Sequence, residues 1–482
     1  MLNDDVLFLS VRELGQRIRA KQISPVELTE SYLVRSAKLD PQLHAYATIT
    51  HDLALSQARQ TETEIATGNY RGPLHGVPYA AKDLLAVKGY KTTWGARPFR
   101  DQTFDFNATI IEKLNAAGAI LIGKAAMIEL AGGMGYRFAS ASLTGAAHNP
   151  WNTGYWTGGS SSGPGAIASA ALAAFAIGTE TWGSIVCPSA FCGVSGLRPT
   201  FGRVSRHGAM TCAYSLDKIG PMARTADDCA LILAAIAGHD FLDRSSLPEN
   251  EAAFSYAPSE PRHPARATSH AAAAPPLRIG WLTNAWEKPT PEIASATRSA
   301  VELLQRNGMK LSDAKLPEGP YETAAGTILS IECAAAFRKF IQEGRAIELA
   351  DPLGHVGGYI NEQISASDHM IALQIREICQ QRIDKLFDDF DVIAAASLPV
   401  PATRLDANIE TELAFADPLG GIGNLCGLPA ISIPCGFTAN NLPIGLQFLA
   451  RTRNDRALVD IANLFQQHTQ WHLQRPSIQQ SS

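Results

Sequence analysis

A chain of 482 residues, 46% hydrophobic and 18% charged, can fill a sizeable core, which excludes a disordered chain. Its formal net charge of −5, with no Lys/Arg block, excludes a nucleic-acid groove and a polybasic membrane patch, and small neutral molecules become the expected partners. Eight scattered cysteines without a C-x-x-C pair exclude a disulfide scaffold and read as core thiols.

The opening MLNDDVLFLS has neither a basic n-region nor an apolar stretch long enough for a signal peptide, so a cytoplasmic location is expected. Residues 1–70 read as a helical part. Ser10-Val11-Arg12-Glu13 is a capping box, and Ser24-Pro25-Val26-Glu27 adds proline at a first helical position, which predicts two helices. From residue 73 short apolar strands alternate with helices, as in NATIIEKLNAAG (107–118) followed by AILIG (119–123). The apolar run Ala166–Ile177 is too short for a bilayer, which needs roughly 20 residues, and predicts one buried helix. The rhythm returns in LRIGWLT (277–283), a helix from Pro291 to Asn307 stopped by Gly308, FDVIAAAS (390–397), LPAISIPCGF (428–437) and IGLQFLA (444–450). This is α/β texture. The intervening SYAPSEPRHPARATSHAAAAPP (255–276) lacks apolar periodicity and reads as an exposed connector inside a single unit. No internal repeat is present.

Two glycine-rich turns flank the predicted buried helix. In TGGSSSGPGAIASA (157–170) three serines meet a helix start; the tract ends too soon for a linker, and no lysine follows to make a phosphate loop. In IGTETWGSIV (177–186) Ser184 stands on a turn whose backbone N–H groups can converge, as an oxyanion hole requires. A serine nucleophile needs a base. None of the histidines falls in either loop; His148 and His207, the nearest, read as structural. The other base is a lysine kept neutral by burial, and Lys82 in HGVPYAAKDLLAV (75–87) has the apolar flanks for that.

Three segments, GVPYAAKD, GGSSSGPG and GTETWGSIVCPSAFCGVSGLRPTFGRVS, resemble the amidase signature family of serine hydrolases, with further support from HNPW (148–151), NLCGLPAISIPCG (424–436) and PIGLQ (443–447). The resemblance spans nearly the whole chain. It implies a single domain, 1–482, with a central mixed β-sheet flanked by helices on both faces. Residues 73–235 would be the signature core and 277–482 the part that completes the sheet. It implies Lys82 as base, Ser160 as bridging residue beside a cis peptide, and Ser184 as nucleophile. The backbone N–H groups of Thr181, Trp182, Gly183 and Ser184 would hold the oxyanion. Within ELAGGMG (129–135), Ala131, Gly132 and Gly133 would line the substrate cleft. No metal or cofactor is implied; the substrate would be a small carboxamide, with anilides, esters and carbamates open, and a homodimer is compatible with the family. Trp182 departs from the family's usual glycine and would either narrow the acyl pocket or fill core space; Ser162, also glycine in most relatives, would have no chemical role.

Two other readings stay open. The glutaminase subunit of a tRNA-dependent amidotransferase shares the signature, and Asp417, seven residues before Asn424, matches an aspartate of those subunits; their Arg-Arg segment is absent between Pro352 and Arg382. A non-catalytic binding protein on the same scaffold would have lost Lys82, Ser160 or Ser184, and all three are intact.

Overall fold

The computed structural model describes residues 1–256, 276–285, 287–413 and 417–478, so residues 257–275 of the Pro/Ala-rich connector lie outside the described residues. One eleven-stranded sheet draws strands from most of the chain. They are β1 (Tyr46–Ile49), β2 (Pro78–Lys82), β3 (Ile120–Ala125), β6 (Phe175–Glu180), β7 (Ser195–Arg198), β8 (Lys218–Ala223), β9 (Arg278–Leu282), β10 (Lys310–Ala314), β11 (Val392–Ala396), β12 (Ala430–Phe437) and β13 (Pro443–Ala450). The remaining two, β4 (His148–Asn149) and β5 (Asn152–Trp156), form a separate small ribbon.

The spatial order β1-β3-β2-β6-β8-β7-β12-β13-β11-β9-β10 is mixed: β3, β2 and β6 run parallel, as do β11, β9 and β10, while the strands between them pair antiparallel. Central strands such as FAIGTE and VIAAA are buried at every position. Helices cover both of their faces, which is why these strands read as continuous apolar runs and not as alternating ones. The edge strand β10, KLSDA, is mostly open and correspondingly polar. No helix among the described residues is long and apolar enough to cross a membrane.

Local signals in the N-terminal part hold: Ser10 and Glu13 form the capping box, and Ser24 caps the helix that starts at Pro25. The part is not purely helical, because β1 lies in it and pairs antiparallel with β3. The run Ala166–Ile177 is not one helix. The helix Ser162–Ala170 ends where Ala171 turns left-handed (φ 49°), with the N–H groups of Ala171 and Leu172 returning to the carbonyl of Ile167. That reversal satisfies end carbonyls of the helix, and Phe175–Glu180 then joins the sheet between β2 and β8. Alanine-rich composition hides the break; only the sheet vacancy between two other strands decides it. All eight cysteines are free and buried.

Candidate active site

Lys82 closes β2, and every residue of that strand is buried. Its Nζ donates to three hydroxyls, Ser160 Oγ at 2.8 Å, Thr179 Oγ1 at 2.9 Å and Ser161 Oγ at 3.0 Å. Burial depresses the amine, partly offset by the negative fields of Cys212, Asp217 and Glu180, and brings it down to about 7. Hydroxyls can donate to a neutral amine as readily as they accept from an ammonium, so this shell tolerates both states.

The serine tract holds its unusual path through glycines. Gly158 has φ +79°, and a Cβ there would come within 3.0 Å of Pro188. The Gly159–Ser160 peptide is cis. At Gly163 a Cβ would lie 2.3 Å from the carbonyl oxygen of Ala45, so only glycine lets the following helix sit directly on the end of β3. Ser160 Oγ thereby reaches 3.1 Å from Ser184 Oγ. The expected three site residues form one unbroken hydrogen-bonded line, Lys82–Ser160–Ser184.

Thr181–Ser184 form a loop between β6 and the helix Val186–Cys192, with Gly183 at φ +77°. Its far end is tied by Glu180 Oε2, which accepts from the N–H groups of Ile185 (2.8 Å) and Val186 (3.0 Å). Glu180 also accepts from Arg198 and Asn424. Burial works against the Glu180 charge, yet Arg198 and Lys218 hold its carboxyl down to about 2. The near end is tied by the Thr181 hydroxyl, which donates to Asp217 at 2.5 Å. Among the described residues the N–H groups of Trp182, Gly183 and Ser184 have no hydrogen-bond partner. They are free for a ligand oxygen.

A cavity of about 530 Å³ opens beside this line, walled by Thr179, Thr181, Ala131, Cys212 and Asp217. Thr179 connects it to Lys82. Ala131 reaches the wall because Leu130, Ala131 and Gly132 are consecutively left-handed (φ +49°, +56° and +82°). Gly133 is buried beneath, where a Cβ would meet the sulfurs of Cys333 and Cys212 within 2.8 Å, and Gly132 lies against the ring of Tyr136. Trp182 turns away from the cavity: its half-buried indole packs with the helices Tyr321–Ala336 and Gly420–Leu425, beside Gly326 and Gly420. His207 lies on the cavity wall, and His148 contacts the ring of His44. Sequence reasoning passes over Ser161, Thr179, Glu180 and Asp217; the first three sit in the quoted motifs, while Asp217 lies 33 residues beyond Ser184 and carries no local signal. Among the described residues no group of three or more His, Cys, Asp or Glu could hold a metal ion.

Comparison with known proteins gives the family and fold to which this chain is similar. The Amidase family profile matches residues 27–459. One subunit of the glutamyl-tRNA(Gln) amidotransferase of Acinetobacter baumannii is 34% identical, over 98% of this chain and 99% of its own. The native peptide amidase of Stenotrophomonas maltophilia superposes with a TM-score of 0.81 at 26% identity, covering 98% of this chain and 99% of its own. A chain from a vestigial protein complex that reveals the evolutionary origins of an s-triazine catabolic enzyme superposes with 0.83 at 26% identity, covering 95% of this chain and 98% of its own.

Proposed function

Because the chain belongs to the amidase family, we propose that it hydrolyses the amide bond of a small carboxamide through an acyl-enzyme on Ser184. The observation that carries this reading is the Lys82–Ser160–Ser184 line, with links of 2.8 and 3.1 Å.

The neutral Lys82 amine accepts the Ser160 proton as Ser160 accepts that of Ser184. Ser184 Oγ bonds to the carbonyl carbon, and the oxyanion is assigned to the N–H groups of Thr181, Trp182, Gly183 and Ser184, the last three without a hydrogen-bond partner among the described residues. Collapse breaks the C–N bond, and the proton returns from Lys82 through Ser160 to the leaving amine. Water then repeats the sequence on the ester and frees Ser184. Ala131, on the cavity wall, is assigned to substrate contact, with Gly132 and Gly133 shaping the turn behind it.

A second reading, the glutaminase subunit of a tRNA-dependent amidotransferase, is favoured by the 34% identity to a glutamyl-tRNA(Gln) amidotransferase component over nearly the whole chain. Asp417 supports it too, being buried with one carboxylate oxygen that has no hydrogen-bond partner among the described residues. A chain that works alone is supported by the absence of paired arginines between Pro352 and Arg382. Purified protein assayed against an amide panel that includes glutamine decides between them. Hydrolysis of several amides without preference for glutamine is the expected result; activity confined to glutamine and dependent on partner subunits and tRNA establishes the second reading. No hydrolysis and no fluorophosphonate labelling of Ser184 would leave a binding scaffold.

A further inference from the structure

We propose that Asp217 is a positioning residue of this reaction: its carboxylate fixes the Thr181 end of the nucleophile loop and, on the same cavity wall as the Thr179 that bonds Lys82, stands as an anion with no ion-pair partner among the described residues. The inference rests on the amide-hydrolase reading above.

Three donors hold the carboxylate. Oδ1 accepts from the Thr181 hydroxyl at 2.5 Å, and Oδ2 accepts from the N–H groups of Cys212 (2.8 Å) and Ala213 (3.0 Å). The turn that presents it is closed by the N–H of Asp217 itself on the carbonyl of Ala213 at 2.9 Å. Asp217 therefore joins the loop of Ser184 to the turn that walls the cavity. Together with Glu180 on Ile185 and Val186, it clamps the loop at both ends.

The two clamps differ in charge. Glu180 is paired with the buried Arg198, whereas Asp217 has no cationic group within 4.0 Å among the described residues. The charged and titratable groups that face it are Lys82, Arg206 across the cavity, Cys212 on its own turn, Cys333 from the neighbouring helix, and Lys218 and Glu180 on the paired strands. When Ser184 attacks, the proton that leaves it makes Lys82 an ammonium. A fixed anion without a counter-ion stabilises that charge, and a neutralised pair does so much less.

The test reads the pH dependence of Ser184 labelling by a fluorophosphonate probe, which needs no known substrate, together with hydrolysis of p-nitroacetanilide. In Asp217→Asn the amide oxygen can still accept from Cys212 and Ala213 while its NH₂ donates to the Thr181 hydroxyl, so contacts persist and charge is lost. The labelling rate should fall about tenfold on the plateau, and its acidic limb should move down by about half a pH unit or more, because an ammonium without its anion loses its proton sooner. Asp217→Glu, which keeps the charge, should leave the limb in place. Thr181→Val should lower the rate about tenfold with the limb unmoved, and Thr181→Ser should stay within about threefold of the parent. An unmoved limb with a plateau within about threefold in Asp217→Asn overturns the electrostatic role; a Thr181→Val rate within about threefold overturns the positioning role. A parent protein that is not labelled at Ser184 overturns the hydrolase reading itself, which separates the two failures.

Discussion

Lys82 and Lys124 stand side by side on the parallel strands β2 and β3, both wholly buried, and among the described residues Lys124, not Lys82, has a carboxylate partner. The register places Lys82 beside Ala125 and Lys124 beside Ala81. Lys124 Nζ lies 2.8 Å from Asp83 Oδ1 and from Thr92 Oγ1, while the partners of Lys82 among the described residues are hydroxyls. Neighbouring backbone positions thus hold one lysine as a structural cation and the other as an amine near neutrality. Chain alternation is the cause: Lys82, the last residue of β2, and Asp83, the residue after it, point to opposite faces.

The pH dependence follows from that contrast. Lys82 must be neutral to accept a proton, and its amine is lowered to about 7, so kcat/KM should rise with pH through about 7 and then level. Lys82→Met should lower amide hydrolysis by several orders of magnitude, as for a member of a coupled relay. A profile flat between pH 5 and 9, about two units either side, or near-parental rates in the variant, would remove Lys82 from the mechanism.

Lys124→Met tests the other lysine. It leaves Asp83 charged and buried without its cation, which costs about 3–5 kcal/mol and should appear as a large fall in Tm. A Tm within a degree or two of the parent would show that the pair contributes little.

Ser184→Ala should abolish fluorophosphonate labelling. Ser160→Ala opens the relay between Lys82 and Ser184, since no other hydroxyl donates to Ser184 among the described residues, and should lower labelling by at least about a hundredfold. Labelling that persists in Ser184→Ala assigns the nucleophile elsewhere.

Trp182 is read as a packing residue. Its indole lies among Gly326, Gly420 and the apolar cluster of the helices, with Nε1 buried and unpartnered. Trp182→Gly should cost near or below the low end of the roughly 3–5 kcal/mol typical of tryptophan truncation, because the side chain is only half buried. The kcat/KM ratio between a bulky and a small anilide should stay unchanged. Trp182→Phe removes the orphan N–H and should keep Tm level or raise it. A ratio that moves toward the bulky anilide in Trp182→Gly would make Trp182 a pocket residue after all.

Glu180 ties stability to acid. Its carboxyl is held at about 2 against an ordinary 4.5, so the folded state binds its proton less readily than the unfolded chain. The stabilisation is complete above about 4.5 and is lost as pH falls toward 2. Glu180→Gln leaves Arg198 buried without its anion, at a cost of about 3–5 kcal/mol, and should flatten the acid dependence of Tm over that range. An acid slope equal to the parent's would show that the pair does not control it.

Legibility in the sequence is uneven for physical reasons. Contiguous signals are readable: the capping box of Ser10 and Glu13, the strands observed as β3, β9, β11, β12 and β13, and the ordered motifs that place Lys82, Ser160 and Ser184 together. The cap and the strands rest on neighbours within a few residues, where periodicity and turn chemistry act, whereas the grouping of Lys82, Ser160 and Ser184 is what the resemblance to the amidase signature family implies. The residues Ala166–Ile177 mislead because apolar content is the same for a buried helix and a buried strand; the ends of β2 and β8 decide where the chain must turn. Tertiary structure alone decides that Lys82 meets only hydroxyls while Lys124 finds Asp83, that Trp182 turns toward the helices, and that Asp217 comes to within hydrogen-bonding reach of Thr181. Those outcomes depend on which strands are neighbours and which face each side chain takes, and such long-range pairings leave no periodic trace along the chain.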